Sequence, residues 1–343
     1  MTISGDAAHN LFGVTLPGNW KVIEKVAKDH YSTCGHFSVS YIVEREGKKA
    51  FLKVLDLGAA LRMPGDHLKH IESLIKQFNF ERDTLRICRQ FGLKRVASAI
   101  DDGKMDLQGG DGVYYIVFEL AEGDIRKKQN LSHPLDLAWK LRILHNTAVG
   151  LDQLHRKNIA HQDLKPSNVL VFGKKDSKVS DLGCADIKNT GSPRGSLPIP
   201  GDQSYAAPEL LYGDIPRDWE ARRLGSDMFL YGNLVAFVFA NASLTAAIMQ
   251  NLAPAHRPGL WPHDYRTVLP YVRNAFGISM NDIRQALPPS IAGEIGDALE
   301  VLCEPDPRLR GHAKDRYSSQ FSFERFVSLF DKLATRAEMG LIK

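Results

Sequence analysis

The chain has 343 residues, enough for one large domain or for two lobes built around separate cores. Its 43% hydrophobic and 24% charged content is that of a globular protein and excludes disordered and fibrous classes. The net charge of +4 is small and spread along the chain, so neither a nucleic-acid partner nor a membrane surface is expected.

The N-terminal MTISGDAAHNLFGV has no basic stretch followed by an apolar core and does not read as a secretory signal. Residues 1–18 are polar and glycine-containing, which predicts a loose leader or a strap. Strand-like runs follow at Val22–Ile23, Val39–Val43 and Ala50–Leu55, the last two joined by a hairpin turn at Glu46–Lys49. Residues 66–91 then carry Leu68, Ile71, Leu74, Ile75, Phe78, Leu85 and Cys88 at helical spacing, the mark of a long amphipathic helix. Short strands are predicted around Val96–Ile100 and Val113–Leu120, with the turn-rich DDGKMDLQGGDG between them. Beyond residue 134 the pattern is mostly helical, most clearly over Asp136–Arg156. Strands first and helices second predict an α+β chain with a small sheet-bearing lobe and a larger helical one.

From Met228 to Ala255 no residue is charged, and that length is sufficient to cross a bilayer. The competing expectation is a helix buried in a core. Cys34, Cys88, Cys184 and Cys303 lie far apart and form no C-x-x-C pair, so neither a zinc site nor a disulfide framework is expected, and a reducing, cytoplasmic compartment fits best. Lys53 sits inside an apolar strand, where a charge is costly without a partner.

The most informative stretch is His161-Gln162-Asp163-Leu164-Lys165-Pro166-Ser167-Asn168. Asp163 is placed to accept or orient the proton of an attacking hydroxyl, and Asn168, five residues on, to hold a metal ion. Lys165 adds positive charge where a phosphoryl group in flight spreads negative charge. Ser180-Asp181-Leu182-Gly183 then offers a second metal-binding carboxylate, and two oxygen ligands from separate loops suit Mg²⁺. His161 reads as a packed histidine holding the loop, and Cys184 as a small residue beside Asp181.

These residues resemble the protein kinase family, in particular the eukaryotic-like serine/threonine kinases of bacteria. The catalytic-loop pattern is matched at His161, Asp163, Leu164 and Asn168, the metal-binding motif at Asp181-Leu182-Gly183, and the end of the activation segment at Ala207-Pro208-Glu209. The resemblance covers roughly residues 20–330 and implies a bilobal kinase-like fold: a leader at 1–18, an antiparallel-sheet N-lobe with one long helix at 19–120, a mostly helical C-lobe at 121–332 and a tail at 333–343. It implies that Lys53 reaches the α- and β-phosphates of ATP and pairs with a glutamate of the long helix, Glu81, or failing that Glu72. It also implies nucleotide contacts from Gly35, Phe37 and Ser38 in the phosphate loop, from Phe51 and Leu170 against the base, from the backbone of Glu119 and Ala121 at the hinge, and from Asp124 to the ribose. Ser226-Asp227-Met228 resembles the start of the family's central buried helix, and Arg310 of Pro307-Arg308-Leu309-Arg310 the arginine that pairs with Glu209. On this resemblance the Met228–Ala255 stretch is a core helix.

The sequence departs from the family pattern in four places. Thr33-Cys34-Gly35-His36-Phe37-Ser38 keeps one glycine of three, which weakens close backbone approach to phosphates. Phe51 replaces a small residue; if Ser40 returns the lost volume, Phe51→Ala binds ATP more weakly, and tighter binding refutes that compensation. Gln162 replaces the arginine that grips a phosphate on the activation segment, so switching of that kind is not expected. Asp202 stands where the family has a threonine, able to pair with Lys165 yet expected to repel Asp163. Together the residues point to an ATP- and Mg²⁺-dependent kinase acting on Ser or Thr of protein substrates, itself included. A nucleotide-binding pseudokinase scaffold and a small-molecule phosphotransferase are the alternatives.

Overall fold

The computed structural model describes residues 7–27, 37–106, 112–129 and 136–343. The chain divides into two compact units, 1–122 and 123–343.

The first unit is built on a six-stranded antiparallel sheet. Its strands are β1 (Thr15–Leu16), β2 (Trp20–Lys25), β3 (Ser38–Arg45), β4 (Lys48–Leu55), β5 (Ala99–Asp106) and β6 (Gly112–Glu119), in the order β1-β2-β3-β4-β6-β5. Alternation assigns the faces. Val39, Tyr41 and Val43 of β3, Ala50, Leu52 and Val54 of β4, and Val113, Tyr115 and Val117 of β6 form one buried cluster. That cluster is closed by the N-terminal segment. Ala8, Leu11, Leu16 and Trp20 belong to it, Leu11 is fully buried, and Tyr41 Oη donates to the Ala8 carbonyl at 2.8 Å. Residues 7–18 are thus a packed strap rather than a loose leader, because their few apolar side chains are the ones the sheet needs.

Among the described residues, two α-helices complete this unit, α1 (Leu57–Leu61) and α2 (His67–Gln90). Asp66 caps α2, its Oδ1 accepting from the amides of Leu68 and Lys69. The run DDGKMD, expected as turn, is strand. Gly103 lies over the Tyr115 ring, Asp101 accepts from Trp20 Nε1 at 3.1 Å, and Asp102 accepts from Arg86 at 2.6 Å. Those partners offset the poor strand propensity of Asp and Gly.

Among the described residues, the second unit carries two small sheets and eight α-helices. Its strands are β7 (Gly123–Asp124), β8 (Ile159–Ala160), β9 (Val169–Phe172), β10 (Asp176–Val179) and β11 (Asp186–Ile187), ordered β10-β9-β7 and β11-β8. Its helices are α3 (Ile125–Gln129), α4 (Leu137–His155), α5 (Pro208–Leu211), α6 (Trp219–Ala240), α7 (Leu244–Asn251), α8 (Tyr265–Ala286), α9 (Ala292–Leu302) and α10 (Glu324–Glu338). The central helix α6 begins at Trp219, well before the expected Ser226, because Asp218 caps it by accepting from the Ala221 amide at 2.8 Å. From Gly225 to Ala236 every residue of α6 is buried. No single helix among the described residues is long and apolar enough to cross a membrane. The apolar stretch is divided between α6 and α7, which meet at a bend of 88°.

α10 runs on to Glu338 where a tail was expected from 333. Leu333 and Ala334 are fully buried, and Arg142 of α4 holds Asp331 at 2.7 Å and Glu338 at 3.0 Å. The expected pair of Arg310 and Glu209 is formed, with two 2.7 Å bonds and both side chains buried.

Candidate active site

In the first unit, alternation along β4 puts Phe51 and Lys53 on the sheet face opposite the strap, both half-buried. Lys53 Nζ donates to both carboxylate oxygens of Glu81 on α2, at 2.8 and 2.9 Å, so Glu81 and not Glu72 is its partner. Glu81 is 5% exposed, and the pair resolves the cost of a lysine in an apolar strand. Phe51 is paired across β3 with Ile42, whereas Ser40 is paired with Lys53, so Ser40 is a diagonal neighbour of Phe51 rather than its opposite. The Phe51 ring instead leans on Phe118, with centroids 6.5 Å apart. Phe37 and Ser38 are half-buried at the start of β3, and the Phe37 carbonyl accepts from the Asp56 amide at 2.8 Å. Gly35 lies outside the described residues. At the end of β6 the Glu119 amide is committed to the Ser98 carbonyl, and the Glu119 side chain accepts from the Ser98 amide at 2.7 Å. Ala121, half-buried, follows at the end of this unit.

In the second unit, Asp124 on β7 pairs with Leu170 on β9, and its carboxylate accepts from the Lys127 amide at 2.9 Å. Asp124 is therefore tied to the start of α3, a local bond the sequence reading missed.

The loop from His161 to Asn168 is held from beneath. Asp227 of α6 is fully buried. It accepts from the amides of His161 (2.6 Å) and Gln162 (2.8 Å), from Gln162 Nε2 (2.9 Å), and is bonded to His155 Nε2 (2.8 Å). Burial alone would raise the Asp227 carboxyl, but the His155 contact and the nearby His161 and Gln162 outweigh it and hold it below the usual range. His161 is also fully buried. Its Nδ1 accepts from the Asp163 amide at 3.2 Å, so its Nε2 carries the proton and donates to the Ser180 carbonyl at 2.9 Å. That single imidazole fixes the loop to the residue before Asp181.

Above this base the charged groups converge. Asn168 Nδ2 donates to the Asp163 carbonyl at 2.7 Å and to Asp163 Oδ2 at 3.0 Å, and Lys165 Nζ lies 3.2 Å from the same oxygen. Asp163, Lys165 and Asn168 are each no more than 3% exposed. Asp202 pairs with Lys165 as expected, and it also makes an attractive contact to Asp163 that was not expected. Its backbone amide donates to Asp163 Oδ1 at 2.8 Å, while its carboxylate turns to Lys165 (3.3 Å) and Ser204. Burial pushes the Asp202 carboxyl up, but the Ser204 bonds and Lys165 outweigh it, leaving it below the ordinary value. The approach is close enough to exclude a side chain at Gly201, where a Cβ would lie 2.6 Å from Asp163 Oδ1 and collide with the Gln162 carbonyl.

Asp181 adopts the left-handed conformation (φ 62°), one that Asp tolerates better than most residues and that is concentrated at functional sites. The donors fit a hard divalent cation. Asn168 turns its amide nitrogen to Asp163, its carbonyl oxygen accepts only a long 3.3 Å bond from Ser167 Oγ and keeps a second lone pair, and Asp181 brings a carboxylate. Cys184 lies within reach of the same carboxylates. Burial and the negative charges of Asp163 and Asp181 push its thiol up to about 12. The thiolate fraction at neutral pH is then about a thousandfold below that of an unperturbed thiol. Iodoacetamide at pH 7.5 should leave Cys184 unlabelled in the folded protein and label it on unfolding, read by peptide mass spectrometry. Labelling at the rate of a free cysteine would refute that rise, and Asp181→Asn should speed labelling.

One buried cluster was not anticipated: Gln162, Asp186, Ser192 and the fully buried Arg223. The available signal was Arg223 itself, a charged residue one turn before Asp227 on a helix whose twelve residues from Gly225 to Ala236 are all buried.

A sequence profile of the protein kinase domain matches residues 67–321. The "Probable serine/threonine-protein kinase kinX" of Dictyostelium discoideum is 29% identical over 209 residues, 60% of this chain and 16% of that protein. The "Probable serine/threonine-protein kinase pknA2" of Bifidobacterium longum is 22% identical over 197 residues, 57% of this chain and 24% of its own. "Serine/threonine-protein kinase PknA" of Mycobacterium tuberculosis is 26% identical over 203 residues, 59% of this chain and 43% of its own. The matched region thus spans less than half of each of these relatives.

Proposed function

Because this chain belongs to the protein kinase family, we propose that it transfers the γ-phosphoryl group of ATP to Ser or Thr hydroxyls of protein substrates, itself included. The observation that carries this reading is the meeting of Asp163, Lys165 and Asn168 within 3.2 Å on a loop fixed by Asp227 and His161.

The Asp163 carboxylate accepts the proton of the attacking hydroxyl, oriented by the Asp202 amide at Oδ1 and by Asn168 and Lys165 at Oδ2. Lys165 supplies positive charge to the transferring group. Asp202 shares that cation, so Lys165 is held in place by two carboxylates rather than one. Lys53, held by Glu81, supplies a cation for the α- and β-phosphates. Asn168 and Asp181 would hold Mg²⁺, which would supply positive charge against the phosphates. Nucleotide contacts from Gly35, Phe37, Ser38, Phe51, Glu119, Ala121, Asp124 and Leu170 complete the reading, with N- and C-lobes at 19–120 and 121–332. The proposal includes a cytoplasmic, reducing location, argued from four cysteines spaced far apart in the sequence.

The test is phosphate incorporation by purified protein with Mg-ATP, read by intact mass and on a generic basic protein, beside Asp181→Ala. Incorporation by the wild type and none by the variant is expected. No incorporation, with ATP still bound, would replace the kinase by a nucleotide-binding scaffold.

A further inference from the structure

Arg223 has no exposed surface, and four bonds use its guanidinium fork. Nε donates to Asp186 Oδ2 at 2.7 Å, Nη1 to Gln162 Oε1 at 3.2 Å, and Nη2 to the carbonyls of Gly195 and Leu197 at 2.7 and 3.2 Å. Gln162 answers by donating its Nε2 to the Arg223 carbonyl at 2.8 Å. Asp186 spends its second oxygen on Ser192 Oγ at 2.8 Å, and Ser192 Oγ accepts in turn from the Ile187 amide. One side chain of α6 therefore ties together the loop that carries Asp163, the strand β11 and the backbone of residues 195–197.

The placement on α6 gives this a purpose. Arg223 and Asp227 are four residues apart and so share one face of the helix. Asp227 holds the amides of His161 and Gln162, Arg223 holds the segment that begins at Asp186, and Gln162 bonds to both. The same segment returns at Asp202, whose amide fixes Asp163 Oδ1. Fixing the segment in its middle therefore fixes a bond made to the reacting carboxylate. The fork also leaves no capacity for a phosphate: four of five N–H donors are used and the group is sealed from solvent.

We propose that Arg223 is a positioning residue that holds residues 186–202 in the working arrangement from within the chain, so that phosphoryl transfer requires no phosphate on that segment. This rests on the kinase reading above. Truncating Arg223 alone would leave Asp186 buried and uncompensated, so loss of the fold and misplacement of the segment would not be separated. The informative variant is therefore Arg223→Met with Asp186→Asn, beside Arg223→Lys, which keeps the charge but not the fork.

Phosphatase-treated full-length wild type should transfer phosphate without a lag. The double variant should keep its fold by circular dichroism and its KM for ATP within about twofold. Its kcat should fall about 10- to 100-fold, as for a small misplacement of a reacting group. Hydrogen exchange over residues 186–202 should be slow in the wild type and fast in the double variant, with Arg223→Lys between them. A wild-type rate that is lost on phosphatase treatment and regained by autophosphorylation overturns the proposal, as does a double variant with unchanged kcat and exchange. If the wild type transfers nothing, the kinase reading fails, and the exchange comparison alone decides whether Arg223 holds the segment. If the double variant does not fold, the exchange and kcat of Arg223→Lys decide it.

Discussion

Asp163→Asn should lower phosphoryl transfer by about 10²- to 10⁴-fold, the range expected when a positioned proton acceptor is removed. The substitution is close to isosteric, and the fixed contacts say how the amide must sit. The Asp202 amide demands an oxygen at Oδ1, where it now donates at 2.8 Å. The new NH₂ group must then face Asn168 Nδ2 and Lys165 Nζ, 3.0 and 3.2 Å away, and both are donors. The variant loses the acceptor and also turns two attractive contacts repulsive. Thermal unfolding should move little, because His161, Gln162 and Asp227 keep the loop in place. The measurement is kcat with Mg-ATP beside nucleotide affinity. A kcat within threefold of wild type, on the order of 0.6 kcal/mol in the barrier, would remove Asp163 from the reaction.

The largest stability effect should come from Glu209→Ala. Arg310 and Glu209 are both essentially unexposed, and their two bonds are each 2.7 Å. Burial would pull the Arg310 guanidinium down, but Glu209 outweighs it and holds it above its ordinary value. Without Glu209 the guanidinium keeps the carbonyls of Glu304 and Gly225 and the Phe229 ring 5.0 Å away, but no counter-charge. An uncompensated buried charge costs about 3–5 kcal/mol, a large part of the ~5–15 kcal/mol that holds a domain folded. Urea unfolding followed by circular dichroism should show the midpoint fall sharply. Glu209→Leu with Arg310→Met should recover most of the loss, since no charge is then stranded. A single variant as stable as the wild type would mean that water reaches the pair.

Legibility followed the reach of each interaction. The loop from His161 to Asn168 is readable because its chemistry lies within eight consecutive residues, and the long helix α2 because its period repeats. Lys53 announced a partner by being charged in an apolar strand, and Arg310 and Glu209 were readable from two separate short segments. The strap was half-read, since Leu11 and Leu16 are too few to set a period, yet both are buried. The DDGKMD strand was hidden because its support comes from Trp20, Arg86 and Tyr115, which lie far away in sequence. Asp202 was half-read: its pairing with Lys165 followed from its charge, but the bond from its backbone amide to Asp163 could not be read from side-chain identity. Gln162 was read as the loss of an arginine, whereas it serves as the partner of another arginine, Arg223, on a different element.

The apolar stretch of α6 and α7 has a consequence for the nascent chain. Tyr231, in the middle of α6, is covered edge-on by Phe323 and by Phe330 of α10. Those rings are synthesised about a hundred residues later, which at ordinary ribosomal speeds is roughly 5–20 s. During that interval an apolar stretch long enough to be taken for a membrane anchor stands without its cover. The charged Asp227 at its edge and the polar Asn233 within it make it a poor substrate for insertion. Chaperone capture of ribosome-bound chains should therefore peak after α6 emerges and subside once α10 has been made.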